Sequence, residues 1–203
     1  MSMLFDTDWY LQGPELIRNY NPDHVNAASY DCHMSSFIRI QRWRGREYPD
    51  TLASLENGTM TFIDPHHGGF LGRLIRKLRK QPDPVVTVPA IFRPGDAFLA
   101  STVERFIRNP SVAMMWIDKS STGREGITHR HAGLLDPGFS GEMTLEYDVQ
   151  LKGILRPYLP IGQVVAFQGV VTMPYDARKS SRYAGQTGPT SSRNKQLAFK
   201  RIS

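Results

Sequence analysis

Between Asp118 and Tyr147 the chain reads DKSSTGREGITHRHAGLLDPGFSGEMTLEY, a run dense in groups that bind phosphate or move protons. Lys119, Ser120 and Ser121 set a cation beside two hydroxyls, and Arg124 follows between Gly123 and Gly126. His129 and His131 alternate, Asp136 opens an Asp-Pro-Gly turn, and Glu146 stands in a strand-like stretch. Hydroxyls, ammonium and guanidinium groups donate to phosphate oxygens. A positioned carboxylate takes a proton from water and returns it to a leaving amine, a contribution of roughly 10²–10⁴-fold. Glu146 and Asp136 are the candidates for that work. On residues alone each has a plainer alternative: Glu146 as a surface strand glutamate, Asp136 as a turn former. His129 and His131 would point the same way from a strand, but they lack a third ligand nearby, so metal binding is not their expected role.

Several chemistries are excluded by what is missing. The single cysteine, Cys32, forbids an intrachain disulfide. It also cannot build the His/Cys zinc site of nucleobase deaminases, which needs a P-C-x-x-C pair. Neither a G-x-x-x-x-G-K-[ST] loop nor a G-x-G-x-x-G fingerprint occurs. Hydrolysis by this chain would therefore rest on a carboxylate and a positioned water. Lys and Arg number 25 against 19 Asp and Glu, a net charge of +6. That balance invites an anionic partner, a nucleotide rather than nucleic acid. No apolar run approaches the ~20 residues that span a bilayer. The N-terminus lacks the pattern of a signal peptide, so a cytoplasmic protein with no membrane partner is expected.

The elements that must position these groups read as mainly β. Asp6 to Tyr20 predicts one short helix, capped by Asp6 or Thr7 and ended by Asn21-Pro22. Residues 26–40 read as extended chain. Strands follow at Ile91–Phe92, Ala97–Val103, Val112–Ile117, Gly141–Tyr147, Ile154–Tyr158 and Gln163–Val171. Val112–Ile117 has the apolar character of a fully buried strand. In Gly141–Tyr147 the residues Met143, Leu145 and Tyr147 share one face, and Thr144, Glu146 and Asp148 continue the other. Residues 42–80 read as an insertion with little alternation. Its basic end, GFLGRLIRKLRK, places Phe70, Leu71, Leu74, Ile75 and Leu78 at helical spacing and reads as a surface helix of the insertion, ahead of a membrane-surface element. From Tyr175 onward the chain is poor in apolar residues and reads as a mobile tail. Short strands with frequent turn signals point to a β sandwich or barrel.

The motifs, taken in order, resemble the dCTP deaminase branch of the trimeric dUTPase-like family. Lys119 to Gly126 is similar to its [RK]-S-S-x-x-R-x-G, Ala132 to Gly141 to its A-G-x-x-D-P-G-[FW]-x-G, and Thr144-Leu145-Glu146 to its T-L-E. Asn26 to Asp31 resembles the N-terminal P-A-S-Y-D segment, and Arg182 to Thr190 the C-terminal K-Y-x-G-Q-x-G-P-T segment. Pro94-Gly95 with Ser101, Thr102 and Glu104 also fits, and the match spares only about residues 42–88.

The resemblance implies a dUTPase-like β-barrel or β-clip sandwich with one or two short helices and an insertion. It implies a single domain over 1–174, a flexible lid over 175–203, and a homotrimer with sites between subunits. The expected activity is zinc-independent hydrolysis of dCTP to dUTP and ammonia. Glu146 would activate water at C4 of cytosine, supported by Ser120 and Arg124. Lys119 and Ser121 would hold phosphates, Asp136 would lie against the deoxyribose, and Gln163 would belong to the nucleotide-site strand. Tyr175, Arg182 and Gln186 would close over a triphosphate that travels with Mg²⁺. Lys119 and Arg182 exchange the usual basic types, and His131 falls where many deaminases have a threonine beside the attacked carbon. His131 therefore bears on the base pocket, and a modified deoxycytidine triphosphate stays open as substrate. Two further readings are a dUTP pyrophosphatase, alone or bifunctional with the deaminase and yielding dUMP, and a regulatory binding protein on the same scaffold.

Overall fold

A computed structural model describes residues 1–130, 133–179 and 181–193. The order of elements is β1 (Ser2–Met3), α1 (Asp6–Leu16), β2 (Tyr30–Trp43), β3 (Arg46–Glu56), β4 (Thr59–Ile63), α2 (Gly69–Leu78), β5 (Val85–Pro89), β6 (Ile91–Phe92) and β7 (Ala97–Phe106). There follow β8 (Val112–Asp118), α3 (Ser120–Arg124), β9 (Ile127–His129), β10 (Leu134–Leu135), β11 (Gly141–Val149), β12 (Gly153–Ile154) and β13 (Pro160–Gln168). The mainly β expectation holds.

Strand β2 is the hub. Its first half pairs antiparallel with β13, and its second half pairs with both β3 and β7. Fourteen residues are long enough to serve two neighbours in succession, and register shifts mark the change. From β13 the sheet continues to β8 and β10, and from β7 to β11 and β9. Inward residues alternate as strand geometry demands: Tyr30, Cys32 and Met34 on β2, Leu145 and Tyr147 on β11, all buried. Helix α1 closes one side of this core with Trp9 and Leu16, and the Trp9 ring lies 5.6 Å from Tyr30. Its cap is Phe5 rather than Asp6 or Thr7: the Phe5 N–H donates to Asp8 Oδ2 at 3.0 Å. The helix ends at Leu16 because Ile17 turns extended and bridges to Phe106 on β7.

Residues 42–80 hold more order than a basic helix. Strands β3 and β4 extend the main sheet from β2 and are joined to β5. Both connecting turns use two consecutive residues with positive φ, Arg44-Gly45 and Asn57-Gly58. This is the geometry whose twist matches antiparallel strands. Trp43, Tyr48 and Phe62 pack edge to face within 6.1 Å and give the hairpin an aromatic core. Strand β8 departs from the fully buried expectation: Met114 and Trp116 are buried, whereas Met115 and Ile117 are exposed. Only one of its faces meets the core, although apolar residues stand on both.

Candidate active site

Strand β11 carries the site. Glu142, Thr144 and Glu146 follow one another on its half-buried face, opposite the buried Met143, Leu145 and Tyr147. Pairing with β7 sets Glu146 beside Leu99, and pairing with β9 sets Tyr147 beside His129. The Arg130 N–H donates to the Glu146 carbonyl at 2.9 Å. The Arg130 guanidinium grips Asp148 through two bonds, at 2.8 and 2.6 Å, and donates to Gln41 at 3.0 Å. That fork holds the Asp148 carboxyl below the usual carboxylate range.

A cleft of about 440 Å³ opens over this face. Glu146, Asp136, Tyr175 and Gln186 line it together with Leu99, Leu135, Phe139 and Met143. The volume suits a nucleotide-sized ligand, and the mixture of apolar walls with few polar groups is typical of such sites. Glu146 Oε2 is buried and makes no hydrogen bond. His129 Nε2 lies 3.4 Å from it and is equally without a hydrogen bond. One more buried polar atom without a hydrogen bond, Gln186 Oε1, belongs to the segment docked on the same strand. Buried polar atoms are rarely left unpaired, so this concentration marks a place shaped for something polar. Burial, with the charge of Asp118, pushes the Tyr147 phenol far up, which keeps it neutral.

The segment after β13 forms the cleft's outer wall. Tyr175 stands in a short 3₁₀ turn, and its hydroxyl accepts from the N–H groups of Arg182 and Tyr183 at 3.1 and 3.0 Å. Arg178 Nη1 lies 3.5 Å from Asp136 Oδ2. Gln186 donates from Nε2 to the Glu142 carbonyl at 2.7 Å, and the Gly188 N–H donates to Glu142 Oε2 at 2.6 Å. The Thr190 N–H donates to Thr144 Oγ1 at 3.1 Å, and Arg39 Nε to the Pro189 carbonyl at 2.6 Å. The described part of the tail thus lies along β11 and β2.

Among the described residues, the other expected site residues do not line this cleft. Lys119, at the start of α3, pairs with Asp31 on β2. Gln163 on β13 accepts from Ser29 Oγ at 2.7 Å and lies opposite Asp31 in register. Lys119 and Gln163 therefore gather around the Asn26–Asp31 segment. Ser120, Ser121 and Arg124 are exposed on α3, anchored by the buried Thr122, whose Oγ1 donates to the Ile161 carbonyl at 3.0 Å. That segment is one short helix, Ser120–Arg124. Arg182 is exposed on the tail, and His131 lies outside the described residues. Sequence reasoning missed His129 as Glu146's neighbour and Glu142 as the tail's anchor. The alternation of β11 could have found Glu142, which shares its face with Glu146. The position of His129 depends on the pairing of β9 with β11, which no local pattern encodes.

Residues 8–169 match the profile of the family described as dCTP deaminase-like. A protein of Bifidobacterium longum named "dCTP deaminase, dUMP-forming" is 35% identical over 181 residues, covering 86% of this chain and 83% of that one. One of the same name from Thermobifida fusca is also 35% identical, covering 86% and 82%. Among solved structures, the 2'-deoxycytidine 5'-triphosphate deaminase of Agrobacterium tumefaciens superposes with a TM-score of 0.54 at 17% identity. It covers 82% of this chain, which spans about half of it, 48%. That likeness is one of fold.

Proposed function

The chain belongs to the dCTP deaminase-like family, and we propose that it converts dCTP to dUMP, ammonia and pyrophosphate using two waters. The observation that carries the reading is Glu146: a carboxylate with an unpaired buried oxygen on the wall of a nucleotide-sized cleft that Asp136 also lines. In the first step Glu146 takes a proton from water, whose oxygen attacks C4 of the cytosine. The C4–N bond then breaks as the proton is returned to the amine, which leaves as ammonia. In the second step a water attacks the α-phosphorus, with Asp136 as the proton acceptor, and pyrophosphate leaves. During the first step Asp136 lies against the deoxyribose. The names of the relatives favour this dUMP-forming route over the dUTP expected above.

The remaining roles follow the chemistry of each group. Ser120 and Arg124 stabilise charge on the intermediate, Lys119 and Ser121 hold phosphate oxygens, and Gln163 recognises the nucleotide. The substrate is the Mg²⁺ complex of the triphosphate, because Mg²⁺ binds through phosphates and retains water rather than needing a protein cage. Ser120, Ser121 and Arg124 are absent from the cleft of their own chain. This supports a homotrimer in which α3 of one copy faces β11 of the next. Exposed Met115, Ile117 and Leu134, with Leu134 opposite Met115 in register, offer an apolar surface for that contact. Residues 1–174 then act as one catalytic domain, and the tail from Tyr175 closes over the triphosphate and excludes water.

The test is product analysis of the purified protein with dCTP or dUTP and Mg²⁺. Ammonia, dUMP and pyrophosphate from dCTP are expected. Ammonia with dUTP alone would remove the second step, and turnover of neither nucleotide would remove the enzymatic reading.

A further inference from the structure

Helix α2 and the turns around it form a separate feature. The helix projects between the ends of β4 and β5, whose neck is closed by the Asp64 N–H donating to the Pro84 carbonyl at 2.9 Å. At 100° per residue, Phe70, Leu71, Leu74, Ile75 and Leu78 fall within one arc of about 140°. Arg73, Arg76 and Lys77 occupy the opposite arc with the C-cap Arg79. No residue of α2 is buried, and the exposures of Phe70, Leu71 and Leu78 are 76%, 66% and 74%. From Gly69 to Lys80 there are five cations and no acidic residue. Arg76 is engaged at the base, donating to the His67 carbonyl at 2.7 Å and pairing with Asp83 at 3.3 Å. These contacts hold the helix against its own loop. The apolar stripe stays exposed.

An exposed apolar face flanked by cations, whose one acidic neighbour, Asp83, is already paired with Arg76, calls for a cover that is apolar in depth and anionic at its surface. A second copy of α2 would oppose cations to cations. Nucleic acid would satisfy the cations and leave five large apolar side chains in water. A bilayer containing anionic lipid satisfies both: the apolar stripe enters the boundary between headgroups and acyl chains, and the cations meet the headgroups. We propose that α2 is a membrane-docking helix that seats this protein on anionic lipid surfaces. At about 15 Å it lies in the plane of the interface rather than crossing it.

Sedimentation of the full-length protein with vesicles tests this, using phosphatidylcholine alone or mixed with phosphatidylglycerol. Wild type is expected to sediment with the mixed vesicles, not with phosphatidylcholine alone, and to be released by salt. The Leu74→Glu/Ile75→Glu and Arg73→Glu/Lys77→Glu variants should each lose at least tenfold in bound fraction. Because these side chains are outside the core, thermal melting of both variants should match wild type. Absence of sedimentation, or binding that survives both variants, overturns the proposal. So does binding to duplex DNA without vesicle binding. A change in particle mass on Leu74→Glu/Ile75→Glu, again without vesicle binding, would instead assign the face to self-association.

Discussion

Replacing Glu142 by Ala should loosen the tail without loosening the domain. The Glu142 side chain is about three-quarters buried and accepts the Gly188 N–H through Oε2 at 2.6 Å. Its other tie, to Arg105 Nη1 at 3.9 Å, is long and adds little. A hydrogen bond to a charged group contributes about 1.5 kcal/mol at the low end of its range. Loss of that amount shifts the docking equilibrium of residues 186–190 about tenfold. The Gln186 contact to the Glu142 carbonyl and the Arg39 contact to Pro189 remain, so the tail should still dock. Amide hydrogen exchange reads the effect directly, because local opening sets protection. The Gly188 and Thr190 amides should exchange about tenfold faster, while those of Leu145 and Ala100 stay as in wild type. Unchanged protection at Gly188 and Thr190 would refute the idea that Glu142 anchors the tail. Equal acceleration at Leu145 would mean that the substitution damaged the sheet instead.

Three other perturbations probe the scaffold. A Cβ at Gly162 would sit 2.0 Å from Cζ2 of the buried Trp116, so Gly162→Ala should cost about 3 kcal/mol by overpacking, read as a lowered denaturation midpoint. The His24 imidazole is pushed below its ordinary value of 6.5, first by burial and then by His33. The unfolded chain therefore binds the extra proton first, so stability should fall as pH drops from 6.5 toward the lowered value; His24→Asn should flatten that slope in pH-dependent melts. Burial drives the Cys32 thiol well up, so a thiol reagent should label it only as fast as the protein opens, and added denaturant should accelerate labelling steeply.

How far the sequence could be read varied with the source of each signal. The alternation of Gly141–Val149 located β11 and the side of it that Glu146 faces, because burial on one face writes itself as a period of two. The Asn57-Gly58 pair is an equally local hairpin signal, although residues 42–80 as a whole show little alternation. Strand β8 misled because apolar Met115 and Ile117 stand on its exposed face, where solvent in a single chain would favour polar residues. The motifs named Ser120, Arg124 and Glu146 together. The fold holds the first two on exposed α3, away from the cleft that Glu146 lines. Which side chains share a cleft depends on strand order, which is not a local property of the chain.

The most direct test of the account is ammonia release from dCTP by Glu146→Gln. Glutamine keeps the shape of the side chain and removes the proton acceptor. Nucleotide binding, measured by calorimetry, should be retained while ammonia release falls by roughly 10²–10⁴-fold. Ammonia release near the wild-type rate would contradict it.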